Sequence, residues 1–218
     1  PVVFDLPGGV RLLVFAFAST TSGVPRDWAA RANASGVALL PDLGERGSAW
    51  AAEQVLSFRR PRDVVVASIH WGSNWGYEVP GEQRRFAHTL IDKAGISIVH
   101  GHSSHHAKAI EVYRGRLILY GCGDFLNDYE GIEGYEEFRG DLALMYFADV
   151  DATSGDLLAL AMTPLQIRRL QLQPASRADV AWLATTLDTE CARFGARVTP
   201  MPDGTLALSW RTAGPPSG

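Results

Sequence analysis

Three apolar runs, separated by two helical patterns, constrain the fold of this chain more than any other feature of its sequence. The runs lie at Val10–Ala18, 63–69 and 96–99. Between them, residues 48–60 and Gly81–Ala94 carry apolar side chains at helical spacing. This alternation of strands and helices is typical of parallel pairing in a layered α/β fold. The first run is apolar almost throughout, which predicts a strand buried on both faces.

The pattern changes after the third run. Short strand-like segments and turn residues predict two hairpins, a further strand, a helix and a last hairpin, at residues 109–120, 141–162, 165–172, 176–194 and around residue 203. We therefore predict three parts. They are a main domain portion over residues 1–172, a helix-and-hairpin extension over 173–211, and a flexible tail rich in Pro and Gly over 212–218.

Composition narrows the class of protein. With 46% hydrophobic and 20% charged residues, the 218-residue chain is typical of a soluble globular protein of one or two domains. Its net charge of -4 favours no polyanionic partner, so we predict no nucleic-acid binding. We find no apolar run of about 18 residues that would predict a transmembrane helix, and no signal peptide. We interpret the start at Pro1, which lacks a methionine, as a mature, trimmed or partial chain.

Three histidines follow the predicted strands. His70 directly ends the second apolar run, while His102 and His105 follow the third. Ligands bind beyond the carboxyl ends of parallel strands in open α/β sheets, so these imidazoles are expected to meet in one crevice. Neutral imidazole is a common ligand of divalent metal ions. The sequence therefore predicts a metal site at this edge of the sheet.

The other three histidines are interpreted differently. His88 is expected on the outer face of a helix, where it has no functional role. His100 lies inside the strand end and is expected to be buried and hydrogen-bonded. His106 is either a donor that supports a metal ligand or a contact to substrate, and we keep both possibilities open.

Two stretches around these histidines resemble a known family. They are DVVVASIHWGSNWGYEVP, at residues 63–80, and IDKAGISIVHGHSSHHAKAIEVYRGRLILYGCGDF, at residues 91–125. Their motifs, in this order and at this spacing, resemble the CapA family of poly-γ-glutamate synthesis proteins. The resemblance covers roughly residues 10–170. It implies an α/β fold that is a layered, metallophosphatase-like sheet sandwich with flanking helices.

The resemblance also implies roles for individual residues. By position, the three histidines that follow the strands correspond to the family's metal ligands. Glu111 occupies the place of the family's Glu, which either takes part in the chemistry or orients a histidine. Two positions depart from the family. Asn74 stands where the family often has an acidic residue, and Asp124 stands where the family usually has the Asn of a Gly-Asn-Phe motif. We therefore expect the substrate or the reaction to differ from that of the founding members.

The motifs that supply the fold's other metal ligands are absent from these 218 residues. Three histidines could hold one ion, whereas a two-metal cluster also needs bridging carboxylate and further oxygen ligands. We therefore expect this chain to be the C-terminal portion of a longer polypeptide. The N-terminal portion of that polypeptide would be its partner and would complete a two-metal site for Mn, Zn, Fe or Ca.

Aromatic and acidic neighbours supply the remaining candidates. Trp75 and Tyr77 lie in a loop of Gly, Ser and Asn beside the histidines, and we predict that both contact substrate together with Asn74. Catalytic candidates are residues that could move protons or support the residue that does. They are His105, His106, Asp124 and Glu111.

The reaction is left open among several classes. A metal site of this kind can polarise a carbonyl or phosphoryl oxygen. The first hypothesis is chemistry at a peptide or polyglutamyl carbonyl. The alternatives are epimerisation at a peptide alpha carbon, phosphoester hydrolysis, and a non-catalytic role in a polymer-synthesis assembly. The protein is expected in the cytoplasm if it modifies peptides and at the membrane if it serves capsule synthesis.

Overall fold

A six-stranded sheet forms the centre of the molecule in the computed structural model, which describes residues 1–128 and 132–211. The strands, in chain order, are β1 (Val2–Leu6), β2 (Val10–Ala18), β3 (Val64–His70), β4 (Ile98–His102), β5 (Ile110–Tyr113) and β6 (Arg116–Leu119). Their spatial order is β1-β2-β3-β4-β6-β5. Strands β2, β3, β4 and β6 run parallel, and β1 and β5 pair antiparallel at the two edges. The predicted parallel pairing is confirmed.

Two helices cover one face of this sheet, which we call the rear face. They are α1 (Glu45–Leu56) and α2 (Gly81–Ala94), and both fill the intervals in which the sequence predicted helices. Helix α1 begins and ends a few residues earlier than expected. Phe86 and Leu90 of α2 pack with Val65 and Ile69 of β3 in a buried cluster. Directly after β3, Trp71 is buried in the same cluster, and its Nε1 donates to Tyr120 O at 3.1 Å.

A second sheet packs on part of the opposite face, which we call the front face. Its strands are β7 (Leu142–Val150), β8 (Leu157–Arg168), β9 (Gln171–Pro174), β10 (Ala196–Pro200) and β11 (Leu206–Trp210), with helix α3 (Arg177–Ala192) beside them. Leu144 and Met162 of this sheet cluster with Leu117 and Leu119 of β6. In the described residues, the chain is thus a mixed α/β protein of two sheets and three helices.

The front face is uncovered at its β1–β2–β3 end within the described residues. Val2 and Phe4 of β1 are 58% and 50% exposed. Strand β2 buries alternate residues toward the helices, Leu13 among them, while Ala16 on the front face is exposed. The expectation that β2 is buried on both faces is therefore wrong. The reason is that the second sheet packs against β5 and β6, so the middle of β2 is only partly covered in front, although Val10 and Ala18 at its ends are buried.

The later elements follow the prediction with one exception. The two hairpins, the final helix and the last hairpin are present. The prediction of a separate strand at 165–172 is wrong, because β8 continues to Arg168. The chain then turns at Arg169 and Leu170, which both have positive φ. The predicted flexible tail at 212–218 lies outside the described residues, and the predicted domain boundaries stay predictions. None of the helices in the described ranges is long and apolar enough to cross a membrane.

Candidate functional site

His70 and His102 lie side by side on the front face of the first sheet. The parallel register of β3 and β4 pairs His70 with His102, and Ser68 with His100. Because side chains alternate along a strand, all four point to the same face. His70 Nδ1 and His102 Nδ1 are 3.1 Å apart. The expected meeting of these two imidazoles is confirmed.

Burial affects the protonation of both rings of this pair. Burial, followed by the charge of His105, lowers the pKa of His70. Burial, followed by the charges of His100 and His70, lowers the pKa of His102 to about 4. Both rings are therefore neutral at pH 7, which is the state that binds metal. Two nitrogens that each lie about 2.0–2.1 Å from one zinc ion are roughly 3–3.4 Å apart, so the observed spacing fits a shared ion.

His105 has a carboxylate partner. Its Nδ1 lies 3.0 Å from Asp124 Oδ2, and its backbone N–H donates to Asn74 O at 3.0 Å. In residues 1–128 and 132–211, no group of three or more His, Cys, Asp or Glu side chains is arranged to hold a metal ion. The structure thus brings His70 and His102 together and places His105 with Asp124. The three-histidine ligand set stays a prediction.

His106 is enclosed by aromatic rings. It is 2% exposed, and its ring stacks on Phe138 at 4.8 Å and meets Tyr77 edge-on at 4.7 Å between ring centroids. Nδ1 lies 3.1 Å from the backbone oxygen of Ala107. Burial, the largest cause, lowers the pKa of His106 to about 4. These contacts make it a packing residue beneath the loop, and its catalytic role stays a prediction.

Glu111 lies on the rear face, away from the histidine pair. Its carboxylate accepts hydrogen bonds from Arg84 Nη2 at 2.8 Å and from Tyr120 Oη at 2.6 Å, and His88 Nε2 is 3.2 Å away. Burial alone would raise the pKa of Glu111, but His88, Arg84 and Tyr120 together hold it below its ordinary value. The histidine beside Glu111 is His88, not a member of the predicted ligand set, so both roles proposed for Glu111 stay predictions.

The expectation for His88 is wrong. Its ring is not on the outer face of α2 but lies between the helix and the sheet, stacked on Tyr113 with centroids 3.6 Å apart. The contact with Glu111 explains this placement, because a buried carboxylate requires partners.

The three predicted substrate contacts lie in the loop after β3. Asn74 is exposed, and its Oδ1 accepts a hydrogen bond from Ser103 Oγ at 3.4 Å. Trp75 stacks on Tyr135 at 4.4 Å, with its ring also near His105. Tyr77 is half-buried, and burial raises its pKa to about 12. These aromatic rings have packing partners, so a role in substrate binding stays a prediction.

The sequence interpretation missed Ser68 and Lys108. Ser68 Oγ lies 3.1 Å from His100 Nδ1 and 3.2 Å from His102 Nε2. The alternation of strand side chains could have revealed it, because Ser68 precedes His70 by two residues. Lys108 is buried, and its Nζ donates to Glu78 O at 2.6 Å. Nothing in its sequence context indicated that burial.

Comparisons with known proteins agree with the motif resemblance. Residues 1–129 match the family described as bacterial capsule synthesis protein PGA_cap. A probable polyglutamine synthesis accessory protein of Mycobacterium tuberculosis strain H37Rv is 50% identical over 199 residues, which are 91% of this chain and 52% of that protein. The PGA biosynthesis protein CapA of Bacillus subtilis is 29% identical over 119 residues, 55% of this chain and 29% of its own length.

A further relative matches most of the chain at lower identity. The capsule biosynthesis protein CapA of Bacillus anthracis is 24% identical over 181 residues, 81% of this chain and 40% of its own length. The chain spans about half the length of the Mycobacterium protein, and less of the two Bacillus proteins. Since the family model covers more than half of the 218 residues, this chain belongs to the bacterial capsule synthesis protein PGA_cap (CapA) family.

Proposed function

We propose that this chain contributes His70 and His102 to the divalent-metal site of an enzyme that acts on a peptide or polyglutamyl substrate. The observation that carries the proposal is the 3.1 Å spacing of the two Nδ1 atoms on neighbouring strand ends. A divalent ion held there would polarise a carbonyl oxygen of the substrate. Mn, Zn and Fe suit a site with imidazole ligands, and Ca would require mostly oxygen ligands.

The relatives' names support the substrate class. They refer to polyglutamine synthesis, PGA biosynthesis and capsule biosynthesis. A polyglutamyl chain offers a carbonyl at every repeat, which is the group that such a site would polarise. On this proposal the chain binds metal at this site and is part of a hydrolase or an isomerase. That enzyme takes part in capsule-type polymer synthesis.

The His105–Asp124 pair is the proposed means of proton transfer. A carboxylate that binds one ring nitrogen of a histidine fixes the ring and stabilises its protonated form. The distance of 3.0 Å between Asp124 Oδ2 and His105 Nδ1 supports this role. Asn127 Nδ2 donates to the same oxygen at 3.1 Å and so helps to fix the carboxylate.

We further propose that a second polypeptide segment completes the site. The fold would be metallophosphatase-like, with this chain as its C-terminal portion and the N-terminal portion of the same polypeptide as the partner. The apolar front surface of Val2, Phe4 and Ala16 supports a packing partner beside the histidines. Two imidazoles alone leave at least half of the positions around an ion unfilled, and oxygen ligands from that segment would fill them.

Metal titration of the full-length polypeptide, with the proposed N-terminal portion present, tests the proposal. We expect zinc and manganese to bind in isothermal titration calorimetry, and His70→Ala and His102→Ala each to weaken zinc binding at least about tenfold. His88→Gln is the matched control, because it replaces a histidine on the other face of the sheet. Equal zinc binding by the wild type and both alanine variants would rule out the histidine pair as ligands.

A non-catalytic role is the second candidate. It is favoured by the word "accessory" in the name of the Mycobacterium relative. The two functions predict different behaviour of one variant. If the chain is only an assembly subunit, the His70→Ala/His102→Ala double variant should still support polymer formation in cells, whereas the enzyme proposal predicts that polymer formation stops.

A further inference from the structure

Ser68 connects two histidines on the front face of the first sheet. Its Oγ lies 3.1 Å from His100 Nδ1 and 3.2 Å from His102 Nε2. His102 therefore has a polar partner at each ring nitrogen, because its Nδ1 faces His70 Nδ1 at 3.1 Å. The four side chains form one continuous hydrogen-bonded row across β3 and β4.

A hydroxyl group can donate one hydrogen bond and accept another, so this row is compatible with two proton arrangements. In the first, His100 Nδ1–H donates to Ser68, Ser68 donates to His102 Nε2, and His102 Nδ1–H donates to His70 Nδ1. In the second, His102 Nε2–H donates to Ser68, and Ser68 donates to His100 Nδ1. No proton then lies between His70 Nδ1 and His102 Nδ1, so the row is interrupted there and the gap suits an ion. Each imidazole keeps one proton in both, so only the tautomers of His100 and His102 differ.

The second arrangement alone leaves both facing Nδ1 lone pairs available to one ion. We propose that Ser68 is a positioning residue that stabilises the His102 tautomer whose Nδ1 binds metal, and this inference rests on the proposed metal site. The physical basis is general, since the nitrogen that a histidine offers to a metal is set by the hydrogen bond that its other nitrogen makes. Ser68 is the acceptor that His102 Nε2–H requires.

Removal of the hydroxyl tests the role. Ser68→Ala should lower zinc affinity about 10- to 100-fold in calorimetry, as loss of a supporting hydrogen bond does at other metal sites. Ser68→Thr keeps the hydroxyl, and its neighbour on β2 is the small Ala16, so it should restore the affinity. Ser209→Ala, which changes an exposed serine on β11, is the matched control.

A second readout separates positioning from a general structural effect. Long-range proton–nitrogen NMR spectra report which ring nitrogen of His102 carries the proton. With zinc bound, we expect the proton on Nε2 in the wild type and in Ser68→Thr. In Ser68→Ala we expect a mixture of tautomers or a ligating Nε2, with an unchanged melting temperature showing that the fold is intact.

The outcomes distinguish a failure of this inference from a failure of the proposed function on which it rests. If the wild type binds zinc and Ser68→Ala binds it equally well with the same His102 tautomer, the role of Ser68 is overturned and the metal site stands. If the wild type binds no zinc, the proposed function fails, and the metal role of Ser68 fails with it.

Discussion

The rear and front faces of the first sheet differ in how completely they are covered. On the rear face, α1 and α2 bury Phe86, Trp71 and their neighbours. On the front face, the second sheet packs against β5 and β6, while β1 and β2 expose Phe4 and Ala16. Polar groups follow the same division. The carboxylate of Glu111 has neighbours on several sides in the rear, whereas the imidazoles gather at the boundary of the uncovered front.

One face of a sheet can thus stabilise the fold while the other face stays accessible to a partner or a ligand. Rear-face side chains contribute free energy of folding through burial, so substitutions there should be costly. Some front-face side chains at the β1–β2–β3 end, such as Val2, Phe4 and Ala16, are exposed within the described residues, so they are accessible to a partner or a ligand. Four predictions, each with its own variants, follow from the packing of the first sheet.

The largest effect is expected for Phe86→Ala. Phe86 is 1% exposed and meets the Trp71 ring edge-on at 6.1 Å. Its truncation should reduce the free energy of unfolding by about 3–5 kcal/mol, measured by urea denaturation. Phe4→Ala on the front face is the matched control and should change it by less than about 0.5 kcal/mol. Similar losses for the two variants would show that the faces do not differ.

The next effect concerns the buried carboxylate. Glu111→Gln removes a charge that Arg84 and Tyr120 both contact, which should cost about 1–3 kcal/mol of unfolding free energy. Glu53→Gln, at an exposed position of α1, is the control and should be close to neutral. If Glu111→Gln left the free energy of unfolding unchanged but abolished catalytic activity, Glu111 would instead take part in the chemistry.

A pH effect is expected at the start of β3. The guanidinium of Arg11 donates two hydrogen bonds to Asp63 and, against the opposing effect of burial, holds the pKa of that carboxyl below its ordinary value. The folded protein therefore takes up this proton less readily than the unfolded chain. The stabilisation is complete above the unfolded pKa of about 3.9 and is lost as the pH falls through the lower folded pKa.

Asp63→Asn should remove this dependence. The melting temperature of the wild type should fall more steeply below about pH 4 than that of the variant, and the two should converge in strong acid. Arg11→Met should flatten the same profile, since it removes the partner. Parallel profiles for the wild type and Asp63→Asn would contradict this account of the ion pair.

The smallest stability effect is expected on β1. The double variant Val2→Thr/Phe4→Thr keeps residues that favour strands and removes exposed apolar surface. We expect a change of less than about 1 kcal/mol in unfolding free energy and weaker binding of a hydrophobic dye. An unchanged dye signal would place the exposed apolar patch elsewhere.

The sequence predicts the first sheet well because each strand there is specified locally. The runs that became β2, β3 and β4 are apolar and short, and the histidines at their ends follow from strand direction alone. The two intervening helices were predicted for the same reason. Each has an apolar stripe that needs only one neighbour to bury it.

Contacts between distant residues were harder to predict. His105 meets Asp124 across 19 positions and an intervening hairpin. Glu111 was expected near the histidines, yet strand alternation turns it to the rear, where α2 supplies Arg84 and His88. The burial of β2 was overestimated, because apolar composition does not say whether another layer lies in front of a strand. These features depend on how layers stack, which no local pattern encodes.

Trp71 gives the histidine pair an anchor. It follows His70 directly, and its side chain is held in the rear-face cluster by Tyr120 O, while its backbone N–H donates to His102 O at 3.0 Å. One residue thus clamps the backbone of both imidazole-bearing strands from behind. Conformational entropy at these two positions is lost when the protein folds, so little remains to be lost when a ligand arrives. The pair is therefore preorganised for the proposed metal ion.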